Sequence, residues 1–109
     1  MAIDHARPGE AVDVRPLGED VRGERSKALF KARDLEVVRL VLRKGEGLAP
    51  HKVPGDITIH CLEGALSVSA DGREHPMRAR QLMYLQGDCM HGLLATEDAS
   101  ALVTIALPR

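Results

Sequence analysis

Hydrophobic and polar residues alternate in short runs along most of this chain, and turn-forming residues separate the runs. The clearest run extends from Leu35 to Arg43. In an extended conformation, Val38, Leu40 and Leu42 share one face of this run, because successive side chains of a strand point to opposite faces. A helix through the same residues would bring arginines into its apolar stripe. The pattern therefore predicts a strand.

A second run, from Ile57 to Leu62, alternates in the same way. It places Ile57 and Ile59 on one face and Thr58 and His60 on the other. Short runs of this kind, bounded by turns, are typical of an all-β barrel or sandwich. The further predicted strands are Ala65 to Ala70, Arg73 to Met77, Leu82 to Leu85, Gly92 to Ala95 and Ala101 to Leu107, with edge strands at Ala11 to Val14 and Lys27 to Ala32.

The length of 109 residues indicates one domain. A chain of this size buries roughly two thirds of the surface that its unfolded form exposes, so one core suffices without disulfides. Residues 1–10 contain several charged side chains and no apolar core, and we expect them to form a polar N-terminal tail. Residues 11–109 are expected to form a single β-barrel domain.

Composition and charge exclude several classes of function. The formal net charge is −1, whereas a nucleic-acid-binding domain is normally strongly basic. Phe30 and Tyr84 are the only aromatic residues, too few to stack bases. No run approaches the roughly 20 apolar residues of a membrane span, and the N-terminus lacks a signal-peptide pattern. We therefore expect a cytoplasmic protein that binds neither nucleic acid nor membrane, with Cys61 and Cys89 reduced.

The residues between the two strongest runs form a recognisable pattern. Gly45 is followed after five residues by His51, and Gly64 closes the segment. This segment resembles the first motif of the cupin family, in which a glycine, two histidines, a glutamate and a final glycine follow in order. The histidines and the glutamate of that motif are metal ligands. Here Val53 stands at the position of the second histidine, and Ile57 at the position of the glutamate.

A later segment, from Arg80 to His91, resembles the second cupin motif. His91 stands at the position of the last metal ligand. Arg80 replaces the opening glycine of the motif, Gln86 replaces its first proline, and Asp88 replaces the glycine of its turn. The ligand position is therefore kept while the residues around it differ.

The resemblance extends without gaps from about Leu35 to Leu107. It is strongest to the small stand-alone bacterial cupins, a group mostly without assigned activity. It implies an all-β fold, the cupin-type double-stranded β-helix or jelly-roll barrel. It also implies that His51 and His91 point into one barrel cavity.

The predicted site is this cavity, where the two imidazoles would converge. We expect it to bind a small molecule, with a weakly held metal or none. Val53 and Ile57 carry no metal-binding atoms, and transition metals usually take three or four protein ligands. The predicted ligand-binding residues are His51, Val53, Ile57, Ile59, Met83, Tyr84, His91 and Leu93.

The alternative is a metal-dependent cupin enzyme, of the dioxygenase or isomerase type, with an incomplete set of protein ligands. In that case His51 and His91 would hold a divalent transition metal such as Zn, Ni, Fe, Mn or Cu. Water and the bound molecule would complete the coordination. No cofactor is firmly implied. A third alternative is a structural dimer whose side chains fill the cavity.

The outward faces of the strands predict self-association. Alternation places His60 on the face opposite Ile59, and Val37, Val41 and Leu62 also lie on outward faces. This apolar surface exceeds what one core can use, so we expect a homodimer with His60 near the interface.

Four charged residues each have two interpretations. Arg39, Arg43 and Arg80 could clamp an anionic substrate, but we expect them on solvated or inter-subunit faces. Glu63 could act as an acid or base, but its place in a Glu-Gly turn indicates a solvated carboxylate.

Overall fold

The computed structural model describes residues 5–108, which form nine strands and one short 3-10 helix at Gly18–Gly23. The strands are β1 (Lys27–Lys31), β2 (Leu35–Leu42), β3 (Gly47–His51), β4 (Ile57–Glu63), β5 (Ala65–Ala70), β6 (Arg73–Arg78), β7 (Leu82–Leu85), β8 (His91–Ala95) and β9 (Ala99–Ala106).

The strands form two antiparallel sheets that face each other across one core. The five-stranded sheet has the order β1-β2-β9-β4-β7, and the four-stranded sheet has the order β3-β8-β5-β6. Consecutive strands therefore often lie in different sheets, as in a jelly roll. The predicted all-β jelly-roll barrel is confirmed.

Strand β4 shows how alternation builds the core. Ile57, Ile59 and Cys61 are buried, with exposed fractions of 5%, 0% and 0%. Thr58 and His60, between them, are only half-buried and lie on the outer face of the sheet. The predicted assignment of these side chains to the inner and outer faces of the strand is confirmed. The rest of the core consists of aliphatic and small side chains: Leu42, Leu66, Val68, Ala70, Met77, Leu85, Leu93, Ala95, Ala99, Ala101 and Val103.

The N-terminal region differs from the prediction. Ala11 to Val14 forms no strand, although the sequence predicted an edge strand there. Pro8 and Pro16 flank this stretch, and proline has no backbone N–H to donate to a neighbouring strand. The first strand is β1, which begins at Lys27.

The N-terminal segment is nevertheless anchored to the outer face of the five-stranded sheet. The backbone N–H groups of Leu17 and Gly18 both donate to the Glu63 carboxylate, at 2.8 to 2.9 Å. The Arg39 guanidinium donates to the carbonyl of Arg15 at 2.6 Å. Val21, in the 3-10 helix, is only 3% exposed. The segment therefore covers part of the sheet.

Glu63 and Arg39 are not solvated, which corrects two predictions. Arg39 is 6% exposed, and it donates to Glu63 at 3.4 Å and to the Ser100 hydroxyl at 3.1 Å. The Ser100 hydroxyl in turn donates to Glu63. A register shift after Cys61 places Glu63 opposite Ser100, on the outer face, although simple alternation would point it inward. The N-terminal segment then shields this cluster from water.

The same segment reduces the surface that the sequence predicted for self-association. Val41 is 8% exposed, and its backbone N–H donates to the hydroxyl of Ser26, just before β1, at 2.8 Å. His60, Leu62 and Val37 remain half-buried on the outer face. The homodimer through this face stays a prediction.

The carboxyl group of Glu63 has a pKa below its usual value. Burial alone would raise this pKa, but hydrogen bonds from Ser100, Leu17 and Gly18 and the charge of Arg39 outweigh burial. A carboxyl whose pKa is lower in the folded state stabilises the fold at pH values above its unfolded pKa. That contribution is lost as the pH falls through the folded-state pKa.

We predict that Glu63→Gln lowers the free energy of unfolding at pH 7 by about 2 kcal/mol, because hydrogen bonds to a charged group are lost. The difference between wild type and variant should shrink as the pH falls from about 4.3, the usual pKa of a glutamate carboxyl, through the lower folded-state pKa of Glu63. Urea unfolding at a series of pH values measures both effects. Glu97→Gln, which changes an exposed carboxylate, is the control and should have little effect. A difference that stays constant with pH would contradict the role of the carboxylate charge.

Candidate small-molecule site

A cavity of about 150 Å³ lies between the two sheets. Strands of the five-stranded sheet form one wall, and β3 and β8 of the other sheet form the opposite wall. The lining residues are Val38, Leu40, Leu48, His51, Val53, Ile57, Ile59, His91, Gly92, Leu93, Val103 and Ile105.

The two histidines meet at one end of this cavity. His51 is the last residue of β3, and His91, the first residue of β8, is its direct cross-strand partner. Side chains of such partners start about 5 Å apart on the same face, and the two ring centroids are 4.6 Å apart with planes tilted by 52°. His91 is 6% exposed, whereas His51 is exposed and lies at the mouth.

Both imidazoles make the same local hydrogen bond. Nδ1 of His51 lies 3.1 Å from the carbonyl oxygen of Ala49, and Nδ1 of His91 lies 3.0 Å from the carbonyl oxygen of Cys89. A carbonyl oxygen only accepts hydrogen bonds, so each Nδ1 carries the hydrogen and a neutral ring presents a lone pair at Nε2. Neither Nε2 has a hydrogen-bond partner within residues 5–108.

The rest of the lining is aliphatic. Val53 and Ile57 both line the cavity, at the two positions where the cupin motif has a histidine and a glutamate. Within the described part of the chain, no three His, Cys, Asp or Glu side chains are grouped so that they could hold a metal ion. The protein therefore offers two nitrogen donors here, fewer than the three or four that a transition metal usually takes. This donor set alone does not fit a tightly held metal.

Six of the eight predicted ligand-binding residues are brought together by the structure. They lie on strands of both sheets and on the loop after β3. These six are His51, Val53, Ile57, Ile59, His91 and Leu93.

Met83 and Tyr84 are placed differently. In the pairing of β4 with β7, Met83 lies opposite Ile59 and Tyr84 lies opposite Thr58. Met83 therefore packs against the core, though it does not line the cavity. Tyr84 faces outward and is 62% exposed, so its assignment to the cavity was wrong. Adjacent residues of a strand point to opposite faces, so the two could not both line the cavity.

Several lining residues were missed by the sequence analysis. Val38 and Leu40 belong to a predicted strand with a recognised apolar face, and Val103 and Ile105 alternate in the last strand. The alternation was visible in the sequence. The strand order was not, and it is the placement of β9 between β2 and β4 that brings these side chains to one wall.

Three other potentially reactive side chains, those of His60, Cys61 and Cys89, do not line the cavity. His60 lies on the outer face, opposite Leu82 and Leu102. Burial raises the pKa of the Cys61 thiol. Partial burial and the nearby Asp71 carboxylate raise the pKa of the Cys89 thiol. Both cysteines are free, and a raised pKa disfavours the reactive thiolate.

Arg43 and Arg80, which the sequence offered with Arg39 as a clamp for an anionic substrate, lie away from the cavity. Arg43 and Arg80 are exposed, as predicted, and neither lines the space around the histidines. Arg80 and Asp88, which stand where the cupin motif that the sequence resembles has glycines, have positive φ values of 76° and 61°. Both therefore adopt the left-handed backbone conformation that glycine favours.

No protein-family model and no curated protein sequence matches the chain. Among the described residues, no helix has the length and apolar character needed to cross a membrane. Solved structures do match. A conserved protein of unknown function from Streptococcus pyogenes superimposes with a TM-score of 0.80 at 23% identity, over 100% of this chain and 99% of that one.

Two further structures resemble the chain. A cupin superfamily protein from Desulfitobacterium hafniense has a TM-score of 0.79 at 16% identity, over 94% of this chain and 100% of that one. KdgF from a Halomonas species has a TM-score of 0.71 at 22% identity, over 77% and 78% of the two chains. The chain is therefore a protein with the cupin fold.

Proposed function

We propose that this protein binds a small, mostly apolar molecule in its barrel cavity, where His51 and His91 contact the polar end of that molecule. One observation carries the proposal: two adjacent imidazoles, each with an unpaired Nε2, border a cavity whose other described lining side chains are aliphatic. Ligand sites commonly combine apolar walls with a few convergent polar groups. The chain's own residues are not expected to hold a metal tightly.

The size of the cavity limits the ligand. Its volume of about 150 Å³ is below the roughly 300 to 1,000 Å³ of drug-sized pockets. An apolar cavity of about 150 Å³ can hold a molecule the size of benzene. We therefore expect a ligand with a hydrocarbon body of about six carbon atoms. Any larger substituent would extend out of the cavity through its mouth beside His51.

A metal-dependent enzyme of the dioxygenase or isomerase type is the second candidate. The observation that favours it is the pair of unpartnered Nε2 atoms on neighbouring rings. A divalent ion such as Zn, Ni, Fe, Mn or Cu would be held by His51 and His91. It would need water or the bound molecule as further ligands, because Val53 and Ile57 supply none.

Binding in the cavity can be tested with cyclohexanol as the probe. We predict that its titration shifts the methyl NMR signals of Ile57, Ile59 and Val103, which line the cavity. Val38→Phe should abolish these shifts, because the ring would occupy the cavity. Val37→Phe, one residue away on the outer face of the same strand, is the matched control and should preserve them. Shifts confined to surface residues, or no shifts, would contradict the proposal.

The weak-metal part of the proposal has its own test. We predict that Val53→His together with Ile57→Glu raises affinity for Zn²⁺ by orders of magnitude, because it supplies four ligands and one negative charge. Without metal, burial of the two polar groups should destabilise the variant by about 2 to 5 kcal/mol. Titration calorimetry measures the affinity. Val53→His together with Thr58→Glu is the control, because Thr58 faces outward. An equal gain in both variants, or none in either, would show that the site geometry is wrong.

A further inference from the structure

The cavity contains hydrogen-bond acceptors but lacks donors among its described side chains. Ten of the twelve lining residues are aliphatic or glycine, and the other two are His51 and His91. In both neutral rings the hydrogen is on Nδ1, where a backbone carbonyl already accepts it. The polar end of the site thus consists of two neighbouring Nε2 lone pairs. A complementary ligand must bring hydrogens to both.

The described cavity lining has no acidic, lysine or arginine side chain, and this composition disfavours most charged ligands. Within residues 5–108, no carboxylate lines the cavity, so an ammonium group would be buried without a counter-charge. A carboxylate ligand has only acceptor oxygens, and these would face the two lone pairs unless a ring first took up a proton. A neutral ligand avoids both penalties.

Among neutral groups, two adjacent hydroxyls fit best. A single hydroxyl can donate to only one Nε2, so it forgoes the second hydrogen bond that a neighbouring hydroxyl would make with the other ring. A primary amide has two N–H donors, but its carbonyl oxygen would find no side-chain donor in the cavity. Two neighbouring hydroxyls donate one hydrogen to each ring. The ring centroids are 4.6 Å apart, and two adjacent hydroxyls are close enough together to meet both rings.

We infer that the site selects neutral molecules with a compact hydrocarbon body and two adjacent hydroxyl groups. The inference rests on the proposed function, since it names the chemical class of ligand for the same cavity. The aliphatic walls hold the body, whose size is set by the volume of about 150 Å³. The histidine pair recognises the two hydroxyls.

Three probes with the same six-carbon ring test this selectivity: cis-cyclohexane-1,2-diol, cyclohexane-1,4-diol and cyclohexanol. We expect the 1,2-diol to bind about tenfold more tightly than the other two, because only it satisfies both acceptors. The Kd values are measured from the methyl NMR shifts of the cavity residues. In His51→Leu, which removes one acceptor, the 1,2-diol should lose this advantage. His60→Leu, on the outer face, should retain it.

The outcomes separate this inference from the proposed function. If the three probes bind in the cavity with equal affinity, the cavity is a ligand site but the diol inference is wrong. An advantage of the 1,2-diol that survives in His51→Leu would also overturn the inference. If none of the three probes shifts the cavity signals, the proposed function itself fails.

Discussion

The position of β9 between β2 and β4 determines which side chains reach the cavity. Val103 of β9 lies between Val38 of β2 and Ile59 of β4, in one row across the sheet. Because paired residues of neighbouring strands point to the same face, this one register sets the inward face of all three strands. A shift by one residue would bring polar side chains into the cavity. The aliphatic wall is therefore a consequence of backbone pairing.

The histidine pair depends on a second register, that of β3 with β8, and on local hydrogen bonds. Each ring donates from Nδ1 to the carbonyl two residues earlier in the chain. Among the described residues, the hydrogen-bond partners of these rings are backbone carbonyls and include no carboxylate side chain. The orientation of a metal-ligating histidine is usually fixed in the same way, by a partner at the other ring nitrogen. The chain thus presents two oriented imidazoles in a cavity whose other described lining side chains are aliphatic.

Much of this arrangement could be predicted from the sequence. The alternation in β4 predicted that Ile57 and Ile59 face inward and that His60 faces outward, because this strand is regular up to Cys61. The motif resemblance predicted that His51 and His91 meet. Tyr84 was misassigned because a short strand of four residues shows no alternation strong enough to distinguish its two faces.

The errors at Glu63 and Arg39 have a different cause. Glu63 was predicted to be a solvated carboxylate in a turn, but it belongs to β4, where a register shift after Cys61 brings it to the covered outer face beside Arg39 and Ser100. The sequence also predicted a solvated outer face. The segment that covers this face is irregular, so it has no hydrophobic periodicity that would indicate its position. Coverage of one face by a distant, irregular part of the chain is a tertiary property that local patterns do not encode.

Ligand binding at the histidine pair requires that the Nε2 atoms of His51 and His91, which border the apolar cavity, each have a free lone pair. The most direct test is the tautomeric state of His51 and His91, measured from the ¹⁵N chemical shifts of their ring nitrogens and the couplings to the ring protons. We expect both neutral rings to carry the hydrogen on Nδ1 and to have an unprotonated Nε2. A hydrogen on Nε2 of either neutral ring would overturn the proposed site, because that ring would then present a donor in place of an acceptor.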